Sequence, residues 1–341
     1  MDTSVLNTLA MIAPDLMEEM ELRALVLERV GALGPIGRRA LATRLHLAER
    51  EVRGSADALK EAGLLVQSAS GMELTPRGQS FVEAARVVSR GRRSLSATEI
   101  SLARRLNVDR VRVVHGDADR DSGVLTEIGR AAANEIRFLL QGAHVMAVSG
   151  GRTMAQAAQA LCPAAPMDVT VVPASGGMRG GVRTQANTLA EEFGAKLGGN
   201  YRMLHLPDGL SAQAAEELSA LPQVREALEL LAHADVLLYG TGVAQELAQQ
   251  RGVSLLQREL LAQRGAVGEA LGFYFDINGQ VVGGSSPAIS AARLGHSNRA
   301  ALLAGGGNKA QAILGICRHH PHRLLVTDEG AANGILDLLR V

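Results

Sequence analysis

Apolar positions along residues 14–63 recur at helical spacing, and the punctuation between them divides the stretch into three helices. Pro14 opens the first, with Asp15, Glu18 and Glu19 suited to the positive end of its dipole, and Gly34 with Pro35 stops it after residue 31. A short helix follows over 37–45, with Leu41 and Leu45 inward. A third starts near Ala48 and carries Val52, Ala56 and Leu59 on one buried stripe, ended by Gly63. Two extended runs come next, LLVQS (64–68) and MELT (72–75), separated by Ala69, Ser70 and Gly71, and they predict a β-hairpin. Three helices and a hairpin within about 80 residues are the layout of a winged helix-turn-helix.

Residues 77–105 read as a linker helix, after which the pattern changes. The runs RVRVVHG (110–116), HVMAVSG (144–150), VTVVPAS (169–175), YRMLHLP (201–207), DVLLYG (235–240), ALLAGG (301–306) and HRLLVTD (322–328) are short and nearly all apolar, and most are separated by helical segments such as TEIGRAAANEIRFLLQ. Strands of that kind belong to a parallel sheet covered on both faces, so residues 106–341 predict a doubly wound, mostly parallel α/β domain. One stretch differs. EALGFYFDINGQVV (269–282) holds Asn278 and Gly279, a two-residue hairpin signal, and predicts an antiparallel flap. The organisation is therefore 1–76 for the winged helix-turn-helix, 77–105 for the linker and 106–341 for the α/β domain.

Composition narrows the function. A chain of 341 residues with 47% hydrophobic and 21% charged content is globular and long enough for two cores, which excludes a disordered tail or a fibrous rod. Three Tyr, five Phe and no Trp are too few for the aromatic platforms that bind single-stranded nucleic acid. Cys162 and Cys317 match no paired-ligand spacing and read as buried thiols in a reducing compartment. There is no basic leader and no apolar run of about 20 residues, which predicts a cytoplasmic protein without a membrane span.

Charge matters through its placement. Lys plus Arg and Asp plus Glu both number 35, yet residues 38–53 carry five arginines against two glutamates. Arg50 and Arg53 fall in the first turns of the third helix, where a helix-turn-helix sets side chains against base edges and a guanidinium grips guanine O6 and N7. With Arg38, Arg39 and the wing residues Ser70 and Gly71 they form the expected contact set for double-stranded DNA; the competing reading is an ordinary solvated helix face. Arg77, Arg86, Arg90, Arg92 and Arg93 make the start of the linker basic.

The predicted strand ends are rich in glycine: Gly150 and Gly151, Gly176 and Gly177, Gly240 and Gly242, and Gly305 to Gly307. Glycine lets backbone amides approach an anion at a helix start. GGRT (150–153) adds a hydroxyl and a guanidinium, and GGGNK (305–309) adds one of only three lysines in the chain. Ala310 stands where a nucleotide-binding loop needs Ser or Thr, and Gln245 where a dinucleotide fingerprint needs its third glycine. The ligand these loops predict is a small phosphorylated molecule. Glu269, Asp328 and Glu329 form no assignable acid and base pair. His319, His320 and His322 precede a strand, in a loop with no carboxylate at helical spacing, so neither catalysis nor a metal or other cofactor is assigned.

Together, GGRT, VPASGG (172–177), TQANTLA (184–190), GEALGFYF (268–275), AGGGNKAQAI (304–313) and VTDEGAA (326–332), behind a winged helix-turn-helix, resemble the SorC family of sugar-responsive bacterial transcription regulators along essentially the whole chain. The resemblance implies a repressor, homodimeric or homotetrameric, released from operator DNA by a sugar phosphate, fructose 1,6-bisphosphate first. Its α/β domain would be similar to sugar-phosphate isomerases and deaminases but without turnover; an isomerase or deaminase with a regulatory head is the alternative. The effector residues it implies are Gly150, Gly151, Arg152, Thr153, Ser175, Gln185, Arg251, Glu269 and Lys309. Arg152 stands where the pattern has threonine and Ser175 where it has arginine, with Arg179 and Arg183 nearby, so a monophosphate and a bisphosphate both stay open.

Overall fold

The computed structural model describes residues 13–45, 47–163, 165–176, 181–207, 210, 212–284, 288 and 299–340. They form two compact units, Met1–Ala97 and Thr98–Val341.

In the first unit, α1 (Pro14–Leu33), α2 (Arg38–Leu45) and α3 (Glu49–Glu61) close around Val26, Val30, Leu41, Val52, Ala56 and Leu59. Gly34 ends α1 in the left-handed region, at φ 72°, and its amide reaches the Val30 carbonyl. Glu51 accepts the Ala48 amide at 2.9 Å and so fixes where α3 starts. The hairpin of β1 (Leu65–Ser68) and β2 (Gly71–Leu74) pairs Ser68 with Gly71, which leaves Ala69 and Ser70 as the turn. Ile36 and Met72 exchange both backbone hydrogen bonds, so the segment before α2 clamps the base of the wing. Gly71 is buried there at φ 136°, and a Cβ on it would lie 2.6 Å from the Ile36 carbonyl carbon. This glycine therefore sits inside the wing's base. The linker is one helix, α4 (Pro76–Leu106); the side chains of Arg86, Arg90, Arg92 and Arg93 lie outside the described residues.

The second unit has the expected α/β fold. It runs β3 (Val108–Val114), α5 (Gly123–Leu139), β4 (Val145–Val148), α6 (Arg152–Ala160), β5 (Thr170–Pro173), α7 (Ala186–Leu197), β6 (Asn200–Tyr201), α8 (Ala212–Ser219), α9 (Pro222–Ala232) and β7 (Val236–Tyr239). After the flap come β12 (Ala300–Leu303), α12 (Ala310–His319), β13 (His322–Asp328) and α13 (Glu329–Leu338). The seven-stranded sheet has the order β3-β13-β12-β7-β4-β5-β6, with every pairing parallel. From β4 the chain moves outward to β5 and β6, then returns to β7 on the other side of β4. Loops leaving β4 and β7 thus diverge and open a crevice at their carboxyl ends. Met146, Val148, Leu238 and Leu303 bury one sheet face against Ile128 and Ile136 of α5, Met154 of α6 and Phe193 of α7.

The flap inserts between β7 and β12. It comprises β8 (Gly242–Val243), α10 (Ala244–Gln250), α11 (Leu255–Gln263), β9 (Ala266–Ala270), β10 (Phe273–Asp276) and β11 (Val281–Gly284), the strands lying antiparallel in the order β11-β10-β9-β8.

Three details differ from the sequence reading. The flap turn has three residues, Ile277 to Gly279, because the Asp276 carboxylate accepts the Asn278 and Gln280 amides and Gly279 takes φ 84°. YRMLHLP is a strand only at Tyr201, since Asn187 caps both backbone groups of Leu204 and removes it from the ladder. Cys162 is exposed, while Cys317 is buried as expected, its thiol pushed up to about 12 by burial. Among the described residues no helix is long and apolar enough to cross a membrane, and no group of His, Cys, Asp or Glu is placed to hold a metal ion.

The histidine run is partly core. His319 ends α12, His322 opens β13, and the Tyr239 hydroxyl lies 2.6 Å from His322 Nε2 and 3.1 Å from His320 Nε2. A phenol has one proton, so it donates to one imidazole and accepts from the other. Burial, helped by the charge of His319, holds His320 down to about 4, below the ordinary 6.5. Above about pH 6.5 this group is neutral folded or unfolded; below it, the unfolded chain takes up a proton that the folded chain refuses. Stability is therefore expected to fall by about 3 kcal/mol between pH 6.5 and 4 from this group. Thermal melts across that range check it: His320→Leu should flatten the pH dependence of the α/β transition relative to wild type.

Candidate functional site

β12, β7, β4 and β5 are adjacent, so the loops that follow them share one stretch of the carboxyl edge. After β4, the Ser149 hydroxyl accepts the Gly240 amide at 3.2 Å, tying the ends of β4 and β7 together. The Gly151 amide donates to the Thr184 carbonyl at 2.9 Å, and a Cβ on Gly150 would come within 2.6 Å of the same oxygen. This close approach brings Gln185 beside the loop. Gly151, at φ 129°, precedes α6, whose first-turn amides at Arg152 and Thr153 have no carbonyl within the helix to bond. The Arg152 side chain is exposed and Thr153 is buried. Ser175, also buried, follows Ala174, whose amide bonds to the Val148 carbonyl at 2.8 Å. Gly177 and Arg179 lie outside the described residues.

At the end of β7 the Thr241 hydroxyl donates to the Glu269 carbonyl at 2.9 Å, and Gly242 pairs with Glu269 across β8 and β9. Glu269 Oε1 accepts both an Arg251 Nη at 2.9 Å and the Gly272 amide. The two charged side chains are 3% and 12% exposed, so this is a buried ion pair. Glu269→Ala removes the carboxylate that faces a buried guanidinium and is expected to cost about 3–5 kcal/mol in chemical denaturation; a paired Arg251→Met, Glu269→Leu variant should recover most of it.

The loop after β12 is occupied differently from the sequence reading, which places a ligand anion on its amides. Gly306 donates to Asp328 at 2.8 Å, Gly307 to Asp117 at 3.2 Å and Asn308 to Asp119 at 2.8 Å. Three carboxylates of the chain itself fill the glycine nest. Burial, and next the positive charge of Arg152, hold the Lys309 ammonium below its ordinary value, against the pull of Asp119, Asp328 and Glu246. Arg152 of the first loop and Lys309 of the last lie on the same edge of the sheet, on the strands either side of β7. Sequence reasoning missed Ser149, Thr241, Asp117 and Asp119. The signal for the last two was HGDADRDSG (115–123), an acidic run directly after a predicted strand.

In the winged unit, Glu49 at the start of α3 holds Arg53 at 2.8 Å and Arg39 at 3.3 Å, and the hydrogen bond from Arg53 lowers its carboxyl most. Arg38 lies 3.9 Å from Asp57. Arg50 is exposed and makes no ion pair with a described residue. At the wing tip the Ser70 hydroxyl bonds to Glu73 at 3.0 Å.

Residues 20–89 match the CggR N-terminal DNA-binding domain and residues 93–337 a sugar-binding domain family. The central glycolytic genes regulator of Priestia megaterium (strain DSM 319 / IMG 1521) is 34% identical over 336 residues, 98% of each chain. That of Bacillus subtilis (strain 168) is 33% identical over 95% of this chain and 96% of its own. Among solved structures, a SorC family transcriptional regulator from Enterococcus faecalis is 33% identical, with a TM-score of 0.66 over 70% of this chain and 99% of its own. The chain belongs to the SorC family of transcription regulators. The full-length sorbitol operon regulator SorC from Klebsiella pneumoniae, 18% identical, shares the fold at a TM-score of 0.67 over 93% of this regulator and 99% of its own chain. The relatives are regulators, not enzymes, so the alternative of an isomerase or deaminase falls.

The ion pairs rank the arginines of the SorC-family regulator. Arg50→Ala is expected to weaken binding to a duplex selected by the protein from random DNA by about 1–3 kcal/mol, with relaxed base preference. Arg53→Ala should cost less, because its charge is already shared with Glu49. Gel-shift titrations of the two variants check the order.

Proposed function

We propose that this regulator is a cytoplasmic repressor of a glycolytic operon, bound to double-stranded operator DNA as a homodimer or homotetramer and released by a phosphorylated sugar, with fructose 1,6-bisphosphate as the effector. The observation that carries the reading is the placement of Arg152 and Lys309 on glycine loops at one edge of the sheet, in a chain 34% identical along 98% of its length to a central glycolytic genes regulator. A site with two cations and helix-start amides suits a phosphate ester better than a neutral sugar. Gly150, Gly151, Arg152, Thr153 and Gln185 would face one phosphate and Lys309 the other. Ser175, Arg251 and Glu269 would shape the space between, Arg251 and Glu269 spending their charge on each other. Exposed Leu255, Leu256 and Leu260 along α11 fit an oligomer.

The mechanism is a population shift. The effector binds one arrangement of the oligomer better than the other, and the winged heads then lose their match to two operator half-sites. Arg152 in place of threonine and serine at 175 in place of arginine move a guanidinium across the site and keep the count of cations.

Thermal-shift titration with fructose 1,6-bisphosphate, fructose 6-phosphate and unphosphorylated fructose tests the reading. The bisphosphate should raise the midpoint most and fructose not at all. Lys309→Ala should abolish the rise; a rise that survives in this variant places the anion elsewhere.

A further inference from the structure

Three consecutive amides of the loop after β12 hold three carboxylates, and these differ in how firmly each is built in. Asp328 is fully buried and accepts from Gly306, Ala118 and Ala331, so it is a fixed part of the fold. Asp117 is partly buried and packed against Gly330, where a Cβ would come 2.4 Å from its carboxyl carbon. Asp119 is exposed. Its carboxylate accepts the Asn308 amide at 2.8 Å, acts on the Lys309 ammonium, and fills the space a side chain at Gly306 would take, 2.5 Å from the Cβ position. Asp119 belongs to the loop 115–122 that joins β3 to α5.

An exposed carboxylate on a backbone amide beside a lysine has the form of a bound anion, but it is tethered to the chain. We infer that Asp119 is a resident competitor for the effector's phosphate: a phosphate oxygen replaces its carboxylate on the Asn308 amide and beside Lys309, and the Asp119 side chain turns out to solvent while Gly116, Asp117 and Ala118 stay anchored. This rests on the sugar-phosphate reading of the site and adds to it the residue that sets the threshold. A hydroxyl of an unphosphorylated sugar lacks the charge to displace a carboxylate from a cation, whereas a phosphate brings nearly two charges and three acceptor oxygens. Asp119 thereby excludes neutral sugars and limits the affinity of phosphorylated ones.

The test is isothermal titration of the full chain and its Asp119→Asn variant with fructose 1,6-bisphosphate, fructose 6-phosphate, inorganic phosphate and fructose. Asparagine keeps the size and removes the charge, and far-ultraviolet circular dichroism with a melt confirms that the variant is folded. The expected result is binding of the phosphorylated ligands about fivefold tighter in the variant. Unchanged or weaker binding in the folded variant, alongside a wild type that binds, overturns the competitor role and leaves the effector site standing. No binding of any phosphorylated ligand to either protein overturns the site reading and the inference together. Should the variant not fold, Asp119→Ser and Asp119→Ala carry the same comparison.

Discussion

Every strand of the parallel sheet ends on the same edge, and where each strand stops, its loop must turn away with backbone amides that no neighbouring strand can satisfy. The site of this regulator is shaped by how those amides find acceptors. After β7 the Gly240 amide goes to the Ser149 hydroxyl; after β3 the Gly116 amide goes to Glu329; after β12 the Gly306, Gly307 and Asn308 amides go to Asp328, Asp117 and Asp119. The acceptors approach so closely that glycine is required at Gly150 and Gly306, and their negative charge explains why Lys309 sits at the end of the glycine run. A ligand enters such an edge most easily where the resident acceptor is least buried.

In the winged head the charges lie instead in exposed pairs along α2 and α3. Glu49 pairs with Arg39 and Arg53, and both pairs are solvent-exposed and therefore weak. The surface thus carries less free charge than five arginines suggest. A net charge of zero is consistent with a DNA-binding protein when the cations are concentrated and internally screened.

Much of this was legible in the sequence. Pro14, Gly34 and Gly63 punctuate the helices of the head, and the stripe of Val52, Ala56 and Leu59 identifies the buried face of α3. The β-rich runs gave the parallel sheet, since apolar segments without alternation have few other homes. What escaped were side chains acting on distant backbone. Asn187 takes Leu204 out of the sheet from 17 residues away, and Asp117 and Asp119 reach amides about 190 residues further on. Neither periodicity nor composition encodes such pairings, because the partner is made adjacent only by the order of strands. Gly71 escaped for a related reason: a glycine in a hairpin reads as turn chemistry, but its neighbour is the Ile36 backbone.

The same topology accounts for the pairing of Arg152 with Lys309. β4 and β12 are separated in the sheet only by β7, so the residue that starts α6 and the residue that precedes α12 face one edge although 157 positions part them in sequence. Burial, and next the positive charge of Arg152, lowers the proton affinity of Lys309. The arrangement persists because Asp119, Asp328 and Glu246 offset it. Removing Asp119 from the balance without replacing its charge leaves Arg152 and Lys309 undercompensated, so only an anion can take its place at acceptable cost. On the proposed reading, the charge balance at this edge selects a phosphorylated ligand without a dedicated contact to each sugar hydroxyl.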